Sequence, residues 1–337
     1  MGNARNLGSF LGNNTSLGTI NDAYDAGTLV PTVTNPNLII NGAMEVAQRA
    51  TSVTGQTGSD VLTVDRFRGH GSGATFNMSQ QAVTLGGESG LPTQFTKFLR
   101  YNATTGANNC GVWQAVEDIT RVQGTHTLSF YAKGTNPAGG VISLDYRQYF
   151  GSGGSSEIDV DTTTFSLTST WQRFTFTFDV ASVAGKTIGA SSYYRPFFKQ
   201  PASDNGSAAW TLDITGVKLE AGGTASPFEH TSYGDELLKC QRYCEVIYAD
   251  SNRYGNIWSA ALSSGTNCWG QWHFIAEKRV PPTFGFLNGG DWALQSSAQN
   301  VYSTLTGFSF NSNGYFYFYS PNASDTNKPI VIADAEL

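Results

Sequence analysis

The chain has 337 residues, enough for two ordinary domains or for one domain with a large appendage. Charged residues make up only 14% while aromatics reach 13%, so the surface has to be wetted by Ser, Thr, Asn and Gln, as on a β-sandwich with neutral faces. A net charge of −6 with no basic run excludes a nucleic-acid groove, four Cys without framework spacing exclude a disulfide scaffold and fit a reduced compartment, and no apolar stretch approaches a membrane span or a secretory leader.

Residues 1–35 carry scattered small apolar groups and repeated Leu-Gly steps with no sustained period. Such a segment cannot bury a core by itself and is expected to be an extended arm that orders against a partner. At NPNLIINGAMEVAQR a sandwich pattern begins, with Leu38 and Ile40 alternating up to an Asn41-Gly42 turn. HTLSFYAKG places Leu128, Phe130 and Ala132 on one face and Thr127, Ser129, Tyr131 and Lys133 on the other, and VISLDYRQYF is a partner of matching length. WQRFTFTFDV alternates Phe174, Phe176, Phe178 and Val180 against Arg173, Thr175, Thr177 and Asp179. In TLDITGVKLE the inward parity flips between Ile214 and Val217, which predicts a β-bulge at Gly216.

The period then changes. From Asp235 onward Leu237, Cys240, Cys244 and Ile247 fall at spacings of three, four and three, one face of a helix, and Ser232 supplies a capping residue three positions before Asp235. Strand patterns resume as EVIYAD, NIWSAAL, CWGQWHFIAEKR and GYFYFYSP. The pattern predicts an all-β chain of two β-sandwich domains, 36–230 and 249–337, joined by one short helix within 231–248 and preceded by the arm 1–35.

Motifs for catalysis are weak. Cys240 and Cys244 share the predicted helical face, but structural zinc takes four ligands and His230 is the one further candidate nearby, so the pair reads as two buried thiols. GHGSG at 69–73 and GSGGS at 151–155 lack the endings of a P-loop or a nucleophile elbow. Glu157, Asp159 and Asp161 alternate onto one strand face, read as a solvated face, with a calcium site or paired glycosidase carboxylates as alternatives. No enzyme, metal site or cofactor is expected from these residues. Aromatics are the remaining signal: Tyr315, Tyr317 and Tyr319 share one parity of YFYFY, with Trp258, Trp269, Trp272 and Trp292 in the same region, a composition suited to stacking on sugar rings.

GVKLEAGGTASPFEHTSYGDELLKCQRYCEV resembles a GVQLEAG, ATPFE, SYGEEL, CQRYYE block of tailed-phage tail-fibre and tail-associated proteins. NLIINGAMEVAQR, VDRFRG, TLSFYAKG, YRQYFGSGGS, WQRFTFTFDV and EKRVPPTF extend the resemblance over 36 to about 285, and Cys244 stands where that pattern has a second tyrosine. The resemblance implies a carbohydrate-binding-module-like jelly roll, which makes the two sandwiches jelly-roll-like, and with it homotrimers, a virion (tail) location after synthesis in the host bacterial cytoplasm, and an arm that docks on other tail or virion proteins. No binding residues travel with these motifs; within the arm the apolar Leu7, Phe10 and Leu11 are the expected docking contacts. The expected function is a receptor-binding tail fibre whose glycan contacts to host surface polysaccharide are Tyr315, Tyr317, Tyr319, Trp258, Trp269 and Trp292. A structural decoration or connector without receptor binding is the alternative reading, and a glycan-active enzyme or free lectin a third.

Overall fold

The computed structural model describes residues 35–84, 86–248, 260–262, 268–271, 274–286, 315–318 and 330–336. Residues 37–337 cluster as one unit, separate from 1–36. Two antiparallel sheets make the sandwich. The first runs in the order β1 (Ser52–Gln56), β4 (Thr75–Ala82), β5 (Lys97–Thr105), β13 (Trp210–Ala221), β8 (Gly124–Thr135), β11 (Gln172–Val180). The second runs β10 (Ile158–Phe165), β9 (Ile142–Tyr149), β12 (Tyr193–Lys199), β6 (Gly111–Gln114), β3 (Phe67–His70), β2 (Val61–Leu62), with β7 (Val116–Glu117) also on β12. The chain passes repeatedly from one sheet to the other, as jelly rolls do, so sheet neighbours are far apart in sequence.

The alternation read from the sequence sets the core. Leu128, Phe130 and Ala132 of β8 and Leu212, Ile214, Val217 and Leu219 of β13 are fully buried, and Phe130 meets Phe198 of the opposite sheet edge-on at 4.9 Å. Gly216 has φ 62° at the register shift between Thr215 and Lys218, and a Cβ there would lie 2.7 Å from the Phe95 ring. The bulge therefore needs glycine on both conformational and steric grounds. On the edge strand β11, Phe178 and Val180 are buried while Phe174 and Phe176 are half-buried.

Leu38 and Ile40 do not form the predicted strand; residues 38–43 are bends and turns. Side-chain amides take the place of a ladder there. Asn37 donates to Val217 O (2.9 Å) and accepts from Ile39 N and Leu219 N (3.0 Å each). Gln114 both donates to and accepts from the Ile40 backbone at 2.9 Å. The Asn41 turn is real, with φ 60° and a side chain bonded to Val46 and Asp65.

The outer face of the first sheet is covered over β8, while Arg173, Thr175, Thr177 and Asp179 of β11 stay exposed. Thr127 and Ser129, assigned by alternation to the outer face, are buried, and residues 222–228 fold back over it. Lys218 Nζ donates to Ser226 Oγ (2.5 Å), Ser226 N donates to Glu220 (2.8 Å), and Phe228 packs with Phe95 at 5.3 Å. Nearby, Glu88 accepts from Lys133 Nζ and from Trp171 Nε1 (2.7 Å). Burial pushes the Glu88 carboxyl up, but these two hydrogen bonds outweigh it and bring it from its ordinary 4.5 down to about 2. A lowered folded value means Glu88 stabilises the fold above pH 4.5, and that contribution is lost as pH falls from there toward 2. Glu88→Gln should accordingly melt below the parent at neutral pH and converge with it on acidification; a gap that persists at low pH would refute the assignment.

The helix α1 spans Tyr233–Gln241, and Ser232 caps it as expected, its Oγ accepting from Asp235 N at 3.2 Å. It is shorter than predicted. Cys244 and Ile247 leave the helical face and enter β14 (Cys244–Tyr248), paired with β19 (Ile330–Asp334), beside which lies β17 (Thr283–Phe286). The β-branched Val246-Ile247 pair and a strand some ninety residues away outweigh the local helical period. A further sheet runs β15 (Ala260–Leu262), β16 (Cys268–Gln271), β18 (Tyr315–Phe318). Among the described residues no helix is long and apolar enough to cross a membrane.

Candidate functional site

Cys240 and Cys244 are buried free thiols whose titration burial pushes upward, so neither is poised as a thiolate. His230 packs between Phe95 and Phe228, each 5.0 Å from its ring, rather than beside the cysteines as a third ligand. Among the described residues no group of three or more His, Cys, Asp or Glu is arranged to hold a metal. Glu157 and Asp159 are engaged by Arg147 at 2.7 Å each, but the register shift between Asp159 and Asp161 sets Asp161 opposite Tyr146, where its Oδ1 accepts from Thr162 N at 2.7 Å, so the three acids expected on one face do not share it. Two clefts, of about 290 and 430 Å³, flank α1 and the β7 end. Their lysine and arginine side chains are paired: Lys239 with Glu236 at 3.2 Å in the first, Arg242 with Glu117 at 2.9 Å and Arg121 with Asp118 at 2.9 Å in the second.

The outer face of the second sheet is different. On β12, Tyr194 and Phe198 point into the core, so Tyr193, Arg195, Phe197 and Lys199 share the opposite face. Pairing then brings in their neighbours: Tyr149 lies opposite Tyr193, Arg147 opposite Arg195 and Asp145 opposite Phe197 on β9, while Trp113 of β6 lies opposite Phe197 on the other side. Arg68 of β3 is opposite Trp113. The result is a row of rings. Tyr149 and Tyr193 are 4.9 Å apart, Tyr193 stacks on Trp113 at 5.7 Å with 27° between planes, and His70 meets Phe197 edge-on at 5.8 Å.

Cations interleave the rings. Arg195 lies 5.0 Å from the Trp113 ring and 5.1 Å from Phe197, Arg68 is 5.2 Å from Trp113, and Lys199 is 5.5 Å from Phe197. Each such contact is worth about 0.5–2 kcal/mol according to how far it is desolvated. Trp113 and Phe197 are each 5% exposed beneath this layer, whereas Tyr149, Tyr193, Arg195, Asp145 and His70 are half-exposed. Trp113 Nε1 is a buried donor with no partner among the described residues. Burial lowers the Arg195 and His70 values and raises that of Tyr193; the neighbouring Arg195 and Lys199 charges lower His70 further. Half-exposed rings edged by fixed polar groups can stack on the CH faces of a sugar and bond to its hydroxyls.

Of the residues expected to contact glycan, Tyr315 and Tyr317 lie on β18, in register with Gln271 and Trp269 of β16. Trp258, Trp292 and Tyr319 fall outside the described residues, as do Leu7, Phe10 and Leu11 of the arm. The row Tyr149, Tyr193, Trp113 was not singled out by sequence. Its signal is YYRPFFK, where apolar residues occupy both parities and Arg195 and Lys199 interrupt only one.

No protein-family profile matches the chain, and no curated protein does. Among solved structures it is similar to the N-terminal cellulose-binding domain of Cellulomonas fimi β-1,4-glucanase C, at 20% identity over 44% of this chain and 90% of that one, with a TM-score of 0.30. It is similar to the xylan-binding domain CBM22-2 of Paenibacillus barcinonensis Xyn10C, at 12% identity over 51% and 98%, TM-score 0.31. A third likeness is to the enzymatically active domain of tailspike protein 4 of bacteriophage CBA120, at 12% identity over 55% of this chain and 21% of that one, TM-score 0.31.

Proposed function

We propose that the chain is a glycan-binding tail protein of a bacteriophage, with its sandwich gripping host surface polysaccharide through the second sheet. The observation that carries the glycan reading is the stacked row Tyr149, Tyr193, Trp113 on an outer sheet face. The phage reading rests on the resemblance of the 219–246 block and its companions to tail-fibre proteins. Under it the arm 1–35 attaches to the virion through Leu7, Phe10 and Leu11, the chain is a homotrimer, and β18 with Tyr315 and Tyr317 is a second glycan contact.

Calorimetric titration of the purified chain with capsular or lipopolysaccharide glycan from the host tests the reading. Tyr193→Ala should weaken binding about tenfold, the loss of roughly 1.4 kcal/mol of stacking, with little change in melting temperature. A mutant that melts early and binds in proportion to its folded fraction would assign the ring to structure instead, and Tyr317→Ala provides the same comparison for β18. Light scattering checks the trimer; a monomer at micromolar concentration counts against the fibre reading.

A further inference from the structure

Of the four arginine and lysine cations on the aromatic face, three have a carboxylate partner among the described residues and one does not. Arg147 holds Glu157 and Asp159 at 2.7 Å, Lys199 pairs with Asp145, and Arg68 pairs with Asp60 at 3.3 Å. His70 has its value lowered by burial and by the neighbouring cations and raised by Asp60. Arg195 sits at the centre of this group, opposite Arg147 across β9 and between the rings of Trp113 and Phe197. Among the described residues it makes no ion pair and no hydrogen bond, and its Nε is a buried donor without a partner. Asp145 and Glu157 act on it only from beyond pairing distance.

Arg195 is half-exposed while its Nε is buried without an acceptor; an unpaired buried donor is costly, and five planar N–H donors in a fixed fork match the two oxygens of a carboxylate. We infer that the ligand of this face is an acidic saccharide whose carboxylate is received by Arg195, with Tyr193 and Tyr149 stacking on the sugar beside it. The inference rests on the glycan-binding reading above and narrows it to one chemical class. Arg195 and Tyr193 are two residues apart on one strand face, about 7 Å, so acid and ring contacts fall within one or two sugar units. Trp113 Nε1, orphaned beneath Arg195, is the donor available to a ligand oxygen once Arg195 turns toward the carboxylate.

The test uses the full chain and matched probes: oligogalacturonate, hyaluronan, alginate and oligosialic acid fragments, each beside the same oligosaccharide with its carboxylates reduced to alcohols. At least one acidic probe should bind tenfold or more tighter than its reduced counterpart, with an affinity that falls as salt is raised. Arg195→Gln should remove that preference, so that the variant binds acidic and reduced probes alike, while Arg195→Lys, which keeps charge but not the fork, restores part of it. Thermal melts of both variants establish that they fold. Equal binding of acidic and reduced probes overturns the acid assignment and leaves the glycan reading standing. Binding of neither, by a folded wild-type chain that also ignores host polysaccharide, overturns both.

Discussion

Replacing Glu336 by Ala should cost about 3–5 kcal/mol of folding free energy, the penalty of breaking a buried ion pair by removing one partner. Three arginines converge on this carboxylate: Arg66, Arg49 at 3.5 Å and Arg68 at 3.6 Å. Two of them have substitutes, since Arg49 also reaches Asp334 at 3.1 Å and Arg68 also reaches Asp60 at 3.3 Å. Arg66 has none. Its side chain is 1% exposed, stacks at 3.5 Å on Tyr243 and donates to Ala115 O at 2.7 Å, and it would keep those contacts with an unneutralised charge. Arg66 also holds a φ of 74°, a conformation unfavourable for a side-chain-bearing residue, which the cluster keeps in place.

The same cluster ties the end of the described chain to the sandwich, because Arg66 holds Glu336 and Arg49 reaches Asp334 at 3.1 Å, with Gln48 donating nearby to Cys244 O at 2.7 Å. Denaturant unfolding of Glu336→Ala and Glu336→Gln gives the comparison. Gln keeps an acceptor for Arg66 and should lose less than Ala. A loss below about 1 kcal/mol in the Ala variant would mean that the arginines relax to water and that the cluster is peripheral.

How far the sequence reports the structure depends on whether the deciding contact is local. β8, β11 and β13 were legible because their alternation is set by each strand's own inward residues, and the bulge at Gly216 because a parity flip beside glycine has one simple cause. Cys244 was misplaced because position four after Cys240 satisfies a helix, while its strand partner Asp334 lies ninety residues on. Thr127 and Ser129 read as wet because nothing nearby reveals that residues 222–228 return to cover them. The candidate site was hidden for the same reason. Trp113 and Tyr193 are eighty residues apart, and only the pairing of β6, β12 and β9 makes them neighbours. Arg195 needed the three-dimensional census of its surroundings before its lack of a partner could be seen.

Removing residues 1–35 should leave the saccharide affinity and melting behaviour of the isolated chain unchanged and bring adsorption of phage particles to background. Residues 37–337 cluster as a unit of their own, and the core side chains among the described residues are all drawn from them. What it takes away under the proposed function is the attachment that places many weak sites on one particle. Joining sites in this way raises avidity by roughly 10² to 10⁴ when the geometry lets them bind together. Tyr193→Ala on an untruncated chain provides the complementary loss: incorporation is normal, each site is about tenfold weaker, and across three copies the deficits multiply toward a thousandfold. Particles complemented with each variant, scored by western blot for incorporation and by adsorption rate for binding, separate the two steps. Truncated chain that still co-purifies with particles refutes the arm as the attachment, and normal adsorption by Tyr193→Ala particles places the host contact elsewhere, with Tyr317 on β18 the next residue to change.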